Sequence, residues 1–343
     1  MTPPRVSVCI PTYNGETYLK PCLESVLAQT HGDFEVIVTD DCSSDGTLDI
    51  LREYSRLDKR IRIIQNEKNL GLVGNWNRCV ASSSQEWVKF VFQDDTLEPT
   101  CLELMLSAAE TPIVFCRRDF LFGPGTDERT ERMYRRLPDM RTLLNQDGLI
   151  TSRMVCQAVL MSEANFFGEP TAALIHKSVF SQFGLFNPDL AQLCDLEYWI
   201  RVCTNTGVTY VSDTLASFRY HTSSTSANNH DPDREELVIT FDRLLLLHEF
   251  AFNPHLLALR KAAKEQTPPI HFDRVFARKA VWTKQTARAR SEQGKTSNSN
   301  WLNKWNRLER QYPRFGKSFW HIPHIGKEWW SRNIGWRFSS NGA

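Results

Sequence analysis

The stretch "FEVIVTDDCSSDG" (residues 34–46) decides the fold class of this 343-residue chain. It begins with the apolar and β-branched run that is typical of a buried strand, and Asp40 and Asp41 follow where the run ends. A second run, in "FVFQDDTLEP", ends in the same way at Asp94 and Asp95. Carboxylates at the carboxyl ends of strands lie where open α/β sheets bind ligands. The pattern therefore predicts an α/β sheet with acidic side chains along one edge.

The first hundred residues alternate between strand-like and helix-like patterns. Apolar runs predict strands at 5–11, 34–40, 60–66 and 86–95. Helical apolar stripes separate them, and strands joined by helices at this spacing predict a doubly wound, mostly parallel, Rossmann-like sheet. Farther along, the glycine-rich and charged segment 123–140 is predicted to be a mobile loop, and 195–207 a helix ended by Gly207.

The last third of the chain differs from the rest in charge. From His255 onward it holds 18 Lys and Arg against 5 Asp and Glu, although the whole chain carries a formal charge of only +1. An acidic body with a basic end predicts two parts with different tasks. We expect an α/β domain over residues 1–230 and a mostly helical extension over residues 231–343.

Targeting and redox signals are weak in this sequence. The nine cysteines are scattered singly without a CxxC pair, which is typical of reduced thiols in a cytosolic protein. The first residues, "MTPPRVSVCIP", lack the apolar core of a signal peptide. No run approaches 18 apolar residues, so no membrane span is predicted.

The phosphate-binding motifs of the common nucleotide folds are absent from the sequence, which has neither a GxGxxG turn nor a GxxxxGK[ST] loop. Instead, Tyr13 and Asn14 follow the first predicted strand, as Asp40 and Asp41 follow the second. Adjacent strand ends form one cleft, so these side chains are placed to surround one ligand. An aromatic ring and a carboxylate suit a nucleobase. The two aspartates are equally compatible with a turn followed by a helix cap.

The second acidic pair predicts a site for a hard cation. Asp94 and Asp95, facing a nucleotide diphosphate, would suit Mg²⁺ or Mn²⁺, which neutralises charge on a phosphate leaving group. The alternative is a solvated turn, because "DDTLEP" also has the composition of a helix N-terminus.

Four stretches, in order and at the expected spacing, resemble the family 2 glycosyltransferases of the GT-A fold. They are "VSVCIPTYNG" (6–15), "VTDDCSSDGT" (38–47), "NLGLVGNWN" (69–77) and "FVFQDDTLEP" (90–99). The resemblance covers about residues 5–225. It implies a GT-A type α/β domain in which residues 1–100 bind a nucleotide-sugar and residues 101–230 bind the acceptor.

The resemblance also implies roles for single residues. The nucleotide-sugar site would comprise Pro11, Thr12, Tyr13, Asn14, Asp41, Asn75, Asp94 and Arg219. Tyr13 would lie against the base, and Asp41 would bond its edge. Asp95, together with His221 of "FRYHTSSTS", would ligate Mn²⁺ or Mg²⁺. Gln93 stands where the family's motif often opens with a further acid.

The catalytic base is expected from the acceptor half. The stretch "LCDLEYWIRV" resembles the family's Glu-Asp pair before a helix, with Asp195 as the aspartate and Cys194 in place of the glutamate. Inverting transfer needs a base for the acceptor hydroxyl proton, and we expect Asp195 to supply it. Without the resemblance, Asp195 is interpreted as a helix N-cap. Glu169 lies where the family often contacts sugar or acceptor.

The C-terminal extension is rich in tryptophan. Seven of the ten tryptophans follow residue 280: Trp282, Trp301, Trp305, Trp320, Trp329, Trp330 and Trp336. Interleaved with Lys and Arg, they suit peripheral contact with a membrane that carries a lipid-linked acceptor. A helical appendage that packs its tryptophans into a core or a dimer contact fits equally. Single-stranded nucleic acid is the least favoured partner.

The resemblance therefore implies an inverting, metal-dependent glycosyltransferase that moves one sugar from a UDP- or dTDP-sugar to a glycan or lipid-linked glycan. Such enzymes build surface polysaccharide or lipopolysaccharide at the cytoplasmic face of the plasma membrane. Two other classes stay open. A sugar nucleotidyltransferase would need a glycine-rich amino-terminal loop that is missing here, and a non-catalytic sugar-nucleotide-binding protein is favoured by Gln93 and Cys194.

Overall fold

The chain divides into two units, residues 1–227 and residues 228–343. A computed structural model describes residues 5–162, 164–229, 232–292 and 296–315. Across these ranges, no helix is both long and apolar enough to cross a membrane.

The first unit is built on one mixed sheet. Its strands are β1 (Val6–Thr12), β2 (Phe34–Asp40), β3 (Ile61–Gln65), β4 (Trp87–Phe90), β5 (Thr96–Leu97), β6 (Ile113–Phe122), β7 (Gly148–Ile150), β8 (Ala173–His176) and β9 (Val208–Tyr220). Their order is β3-β2-β1-β4-β8-β6-β9-β5, and β7 also pairs with β9. The first four are parallel neighbours, whereas β8 runs antiparallel to β4 and β6. The predicted α/β class with a mostly parallel sheet is confirmed.

Helices connect these strands and cover the sheet. In the first unit they are α1 (Leu19–Leu27), α2 (Thr47–Leu57), α3 (Leu72–Ser82), α4 (Cys101–Ser107), α5 (Glu128–Arg135), α6 (Met140–Leu144), α7 (Ser152–Met161), α8 (Ser178–Phe183) and α9 (Cys194–Thr206). Every residue of β1 is buried, and so is β2 except Glu35. Parallel strands that are covered on both faces have this continuous apolar character. Thr12 pairs with Asp40, so the polar residues after β1 and β2 emerge at one edge.

The segment 123–140, predicted as a mobile loop, is half helical. It contains α5 and the first residue of α6. The Asp127 carboxylate caps α5 by accepting the Thr130 N–H at 2.9 Å. Tyr134 is buried with its ring stacked on Phe218, the centroids 6.0 Å apart. The prediction was wrong because a helix is predicted from an apolar stripe, and α5, a charged helix whose one buried residue is Tyr134, has no such stripe.

The fourth predicted strand, 86–95, is shorter in the structure. β4 ends at Phe90, and the chain then turns, with the Asp95 N–H bonded to the Phe92 carbonyl at 3.0 Å. This turn carries Asp94 and Asp95 out of the sheet and toward β9. The acidic pair therefore lies in a loop between β4 and β5.

Helix α9 is held by a buried ion pair. Arg201 and Glu197 have only 7% and 1% of their side-chain surface exposed, and the Arg201 Nε lies 2.8 Å from Glu197 Oε1. The same guanidinium donates to the carbonyls of Phe183 and Leu185. The helix ends at Thr206, before Gly207 with φ of 70°, as the sequence predicts. Arg201 thus fixes α9 to the chain that follows α8.

The second unit is helical in its described residues. Its helices are α11 (Pro232–Phe252), α12 (Leu257–Lys264), α13 (Phe272–Glu292) and α14 (Thr296–Gln311), preceded by α10 (Thr225–Asn229), which contains the boundary. Trp301 and Trp305 are buried, with the Trp301 ring 5.6 Å from that of Phe241. Trp282 is exposed beneath the Lys279 ammonium, 4.0 Å away. Trp320, Trp329, Trp330 and Trp336 lie outside the described residues, and the membrane contact stays a prediction.

Candidate active site

The loops after β1 and β2 are joined by a polar network. The Asp40 carboxylate accepts hydrogen bonds from the Thr12 hydroxyl at 3.1 Å and from the Ser43 N–H at 3.0 Å. Asn14, in the left-handed region at φ of 48°, accepts the Ser44 N–H on its Oδ1 at 2.8 Å. Asp40 is fully buried, so its role is to shape the turn.

Asp41 and Asn75 are buried and bonded within the protein. The Asp41 carboxylate accepts the N–H groups of Leu70 and Gly71 at 2.7 and 2.9 Å, and the Asn66 amide at 2.9 Å. Asn75 donates to the main-chain carbonyls of Thr12 and Thr39. Both side chains position the loops around the predicted base site. Direct contact of either with a nucleotide stays a prediction.

Tyr13 presents an exposed aromatic surface at the same edge. Pro11 and Thr12 are buried under the loop, whereas half of the Tyr13 surface is exposed. An exposed ring beside a polar network is suited to stacking on a planar ligand.

The two acids of the second pair differ in environment. Asp95 is fully buried, and its carboxylate accepts hydrogen bonds from the Thr171 hydroxyl and from the Arg219 N–H at 2.9 Å. Burial, and next the charge of Asp94, raise the pKa of Asp95 well above its usual range. Asp94 is partly exposed, with His221 Nε2 3.2 Å from its Oδ2. The structure thus places Asp94, rather than Asp95, beside His221.

Tyr18 supports the residues around Asp94. Its ring centroid lies 4.8 Å from that of His221, and the Arg219 guanidinium carbon lies 4.8 Å from the same ring. Arg219 Nε also donates to the main-chain carbonyl of Asp94 at 3.0 Å. This role of Tyr18 was not predicted from the sequence, because Arg219 and His221 are far from it along the chain.

Asp94 and His221 are a suitable pair for a divalent cation. Within the ranges that the structure covers, no cluster of three or more His, Cys, Asp or Glu side chains is arranged to hold a metal ion. Mg²⁺, however, usually takes one or two carboxylates from the protein and completes its shell with substrate phosphates and water. The residues present therefore fit an ion whose other ligands come from a diphosphate.

Asp195 lies at the first turn of α9. Its carboxylate accepts the Leu196 N–H at 2.7 Å and the Asn165 side-chain amide at 3.1 Å. Burial raises the pKa of Asp195 to about 7, and the charge of Glu169 acts in the same direction. A carboxyl group with this pKa is able to take up a proton at neutral pH.

The segment 165–171 links the two acidic sites. Asn165 at one end contacts Asp195, and Thr171 at the other end contacts Asp95. Glu169 lies between them, and its charge raises the pKa of both aspartates. Six residues span at most about 20 Å, so this segment sets an upper limit on the separation of its two ends.

Arg118 is a buried cation at this site that the sequence reasoning missed. It forms an ion pair with Glu169, and both side chains are largely buried. Its charge lowers the pKa of Asp195, although less than burial raises it. The available signal was the pair of arginines inside the mostly apolar strand "IVFCRRDFLF".

Comparison with known proteins places the chain in a family. The model for "Glycosyl transferase family 2" matches residues 7–167. The uncharacterized protein MT1568 of Mycobacterium tuberculosis is 33% identical over 227 residues, which cover 65% of this chain and 69% of that protein. An uncharacterized glycosyltransferase of Haemophilus influenzae is 27% identical over 248 residues, covering 66% of this chain and 69% of that protein. Two further curated relatives are matched over 34% and 41% of their own length.

A solved structure shares the fold. S. aureus TarS 1-349 in complex with UDP-GlcNAc superposes with a TM-score of 0.55 at 15% identity, covering 90% of this chain and 92% of that chain. At this identity the likeness concerns the fold alone, and it agrees with a GT-A type sheet. The family match and the identity to its relatives show that the chain is a glycosyltransferase and belongs to glycosyl transferase family 2.

Proposed function

We propose that this glycosyltransferase moves one sugar from a UDP- or dTDP-sugar to an acceptor hydroxyl, with inversion at the anomeric carbon. The observation that carries the proposal is the Asp195 carboxyl group, whose pKa is raised to about 7 and which segment 165–171 connects to Asp95. This reaction needs a base at neutral pH and positive charge near the leaving diphosphate, and the acidic pair would hold a cation there.

In the proposed reaction, Asp195 removes the proton of the acceptor hydroxyl as its oxygen attacks C1 of the donor sugar. The bond from C1 to the diphosphate oxygen breaks on the opposite face, and the nucleoside diphosphate leaves with the electron pair. Tyr13 stacks on the base, and Arg219 lies beside the diphosphate. Asp94 and His221 would hold a divalent cation, Mn²⁺ or Mg²⁺, next to the buried Asp95. The cation would neutralise charge on the leaving group.

The acceptor that we propose is a glycan or a lipid-linked glycan of the cell surface. The support is the family itself, together with the basic and tryptophan-rich sequence after residue 280, which suits a peripheral membrane contact.

The proposal is tested by a screen of nucleotide-sugars with and without Mn²⁺. We expect at least one UDP- or dTDP-sugar to raise the melting temperature, since a ligand at 100 times its Kd stabilises by about 2.7 kcal/mol. Proton NMR of the product made from that donor should show the anomeric configuration opposite to the donor's. Retention of configuration, or stabilisation by GDP-sugars alone, would contradict the proposed reaction.

Removing either accessible ligand should weaken metal binding. We expect Asp94→Asn and His221→Ala each to lower Mn²⁺ affinity in the presence of UDP by at least about tenfold. Electron paramagnetic resonance of free Mn²⁺ measures this affinity without any turnover. Asp49→Asn, which changes an exposed carboxylate on α2, is the matched control. Unchanged Mn²⁺ affinity in both variants would show that the ion binds elsewhere.

A further inference from the structure

Gln93 joins the loop after β1 to the loop after β4. Its side-chain Oε1 accepts the Tyr13 N–H at 2.9 Å, and its Nε2 donates to the Tyr13 carbonyl at 3.1 Å. Because one side-chain amide meets both main-chain groups of one residue, only one orientation of the amide satisfies them. This two-point contact fixes the main chain of Tyr13, whose ring is half-exposed.

Gly15 provides the space for this contact. A Cβ atom at Gly15 would lie 2.3 Å from Gln93 Oε1 and 2.5 Å from Gln93 Cδ. The three nearest heavy atoms to that position all belong to the Gln93 side chain. A side chain at residue 15 would therefore displace Gln93. The sequence element "YNG" and the distant glutamine form one structural unit.

Gln93 also precedes Asp94 directly in the chain. The Gln93 amide therefore connects the turn that carries Asp94 to the main chain of Tyr13. An acidic residue at position 93 would lose this property, because a carboxylate has no N–H to donate to the Tyr13 carbonyl.

We propose that Gln93 is a positioning residue for the nucleotide: it holds the Tyr13 ring in the orientation that stacks on the donor's base. The inference rests on the proposed function, in which a uracil or thymine nucleotide binds at Tyr13. The inference assigns a role to Gln93, which stands where the family's motif often has an acidic residue.

Substitution of Gln93 should weaken nucleotide binding. We expect Gln93→Ala to lower UDP affinity by about 5–50-fold, since two hydrogen bonds that order the stacking residue are lost. Isothermal titration with UDP measures this affinity, and steady-state kinetics should show the loss in the donor KM, with kcat within about twofold of wild type. Circular dichroism and melting temperature establish that the variant is folded.

Two double variants separate positioning from direct contact. Gly15→Ala alone should weaken UDP binding as Gln93→Ala does, but it should add less than about twofold in the Gln93→Ala background, where the colliding atoms are gone. Likewise, Gln93→Ala should add less than about twofold in the Tyr13→Ala background, where no ring remains to be oriented. Gly32→Ala, whose Cβ would meet nothing within 4 Å, is the matched control.

The outcomes distinguish this inference from the proposed function. Wild-type UDP affinity in folded Gln93→Ala would overturn the positioning role and leave the proposed donor standing. The same would follow if the Gln93→Ala and Tyr13→Ala losses were fully additive, because Gln93 would then act on the ligand without Tyr13. A wild-type protein that binds neither UDP nor dTDP would overturn both.

Discussion

We expect Asp195→Asn to lower kcat by about 10²–10⁴-fold, the usual contribution of a general base. Asparagine has nearly the same shape and retains an oxygen for the Leu196 N–H, but it accepts no proton from the acceptor hydroxyl. Donor binding should stay within about twofold of wild type, because the proposed contacts to the base, Tyr13 and Asp41, follow β1 and β2. Single-turnover transfer assays and UDP titration measure the two quantities.

The control for this prediction is Asp213→Asn, which changes an exposed carboxylate on β9. It should leave kcat unchanged. If Asp195→Asn turned over at the wild-type rate, the base would have to be another group, and Glu169 would be the next carboxylate to change.

The pKa of Asp195 sets the expected pH dependence. Since the pKa is raised to about 7, kcat/KM should fall about tenfold for each pH unit below 7 and level off above it. The folded protein binds this proton more tightly than the unfolded chain, so the contribution to stability is present at low pH and is lost as pH rises through 7. Asp195→Asn should therefore increase the free energy of unfolding by about 1–3 kcal/mol at pH 8 and have little effect below pH 4.

The second large effect is expected at Arg201. We expect Arg201→Ala to lower the free energy of unfolding by about 3–5 kcal/mol, because it would leave the buried Glu197 carboxylate without its cation. The carbonyls of Phe183 and Leu185 also lose a donor. Since Asp195 is on the same helix, catalysis should fall with stability. Urea denaturation followed by tryptophan fluorescence gives the change in free energy.

Two variants make the Arg201 prediction specific. Arg52→Ala, in an exposed pair with Asp49, should change the free energy of unfolding by less than about 0.5 kcal/mol. The double variant Arg201→Met with Glu197→Leu removes both charges and should be more stable than Arg201→Ala. If Arg201→Ala cost no more than Arg52→Ala, the buried pair would not be what anchors α9.

The sheet and its polar edge were predictable because their signals are local. Each strand is an apolar run of a few residues, and an acid at its end follows from the sequence order alone. The different environments of Asp94 and Asp95 were not predictable in the same way. Two adjacent identical residues give no local signal, and only the approach of Thr171 and Arg219 buries one of them.

The remaining site contacts were not predicted from the sequence, because they join distant parts of the chain. Gln93 lies 80 residues from Tyr13, and a lone glutamine after a strand has no distinctive pattern. The ion pair of Arg118 with Glu169 has the same character. Such pairs depend on the order of strands in the sheet, which no short window of sequence contains.

Strand β4 lies at the boundary between the parallel and antiparallel parts of the sheet. This position has a consequence for how donor and acceptor specificity change in evolution. It pairs in parallel with β1 on one side and antiparallel with β8 on the other. Under the proposed function, everything needed to read the base is complete at Gln93, in the loop that follows β4, and the acceptor side begins with the antiparallel neighbour of β4. Exchanging the chain after Asp95 for that of another family member should change the acceptor and keep the donor, provided that Thr171 and Arg219 still reach Asp95. Under this proposal, donor choice and acceptor choice can change independently in evolution, because residues on opposite sides of β4 determine them.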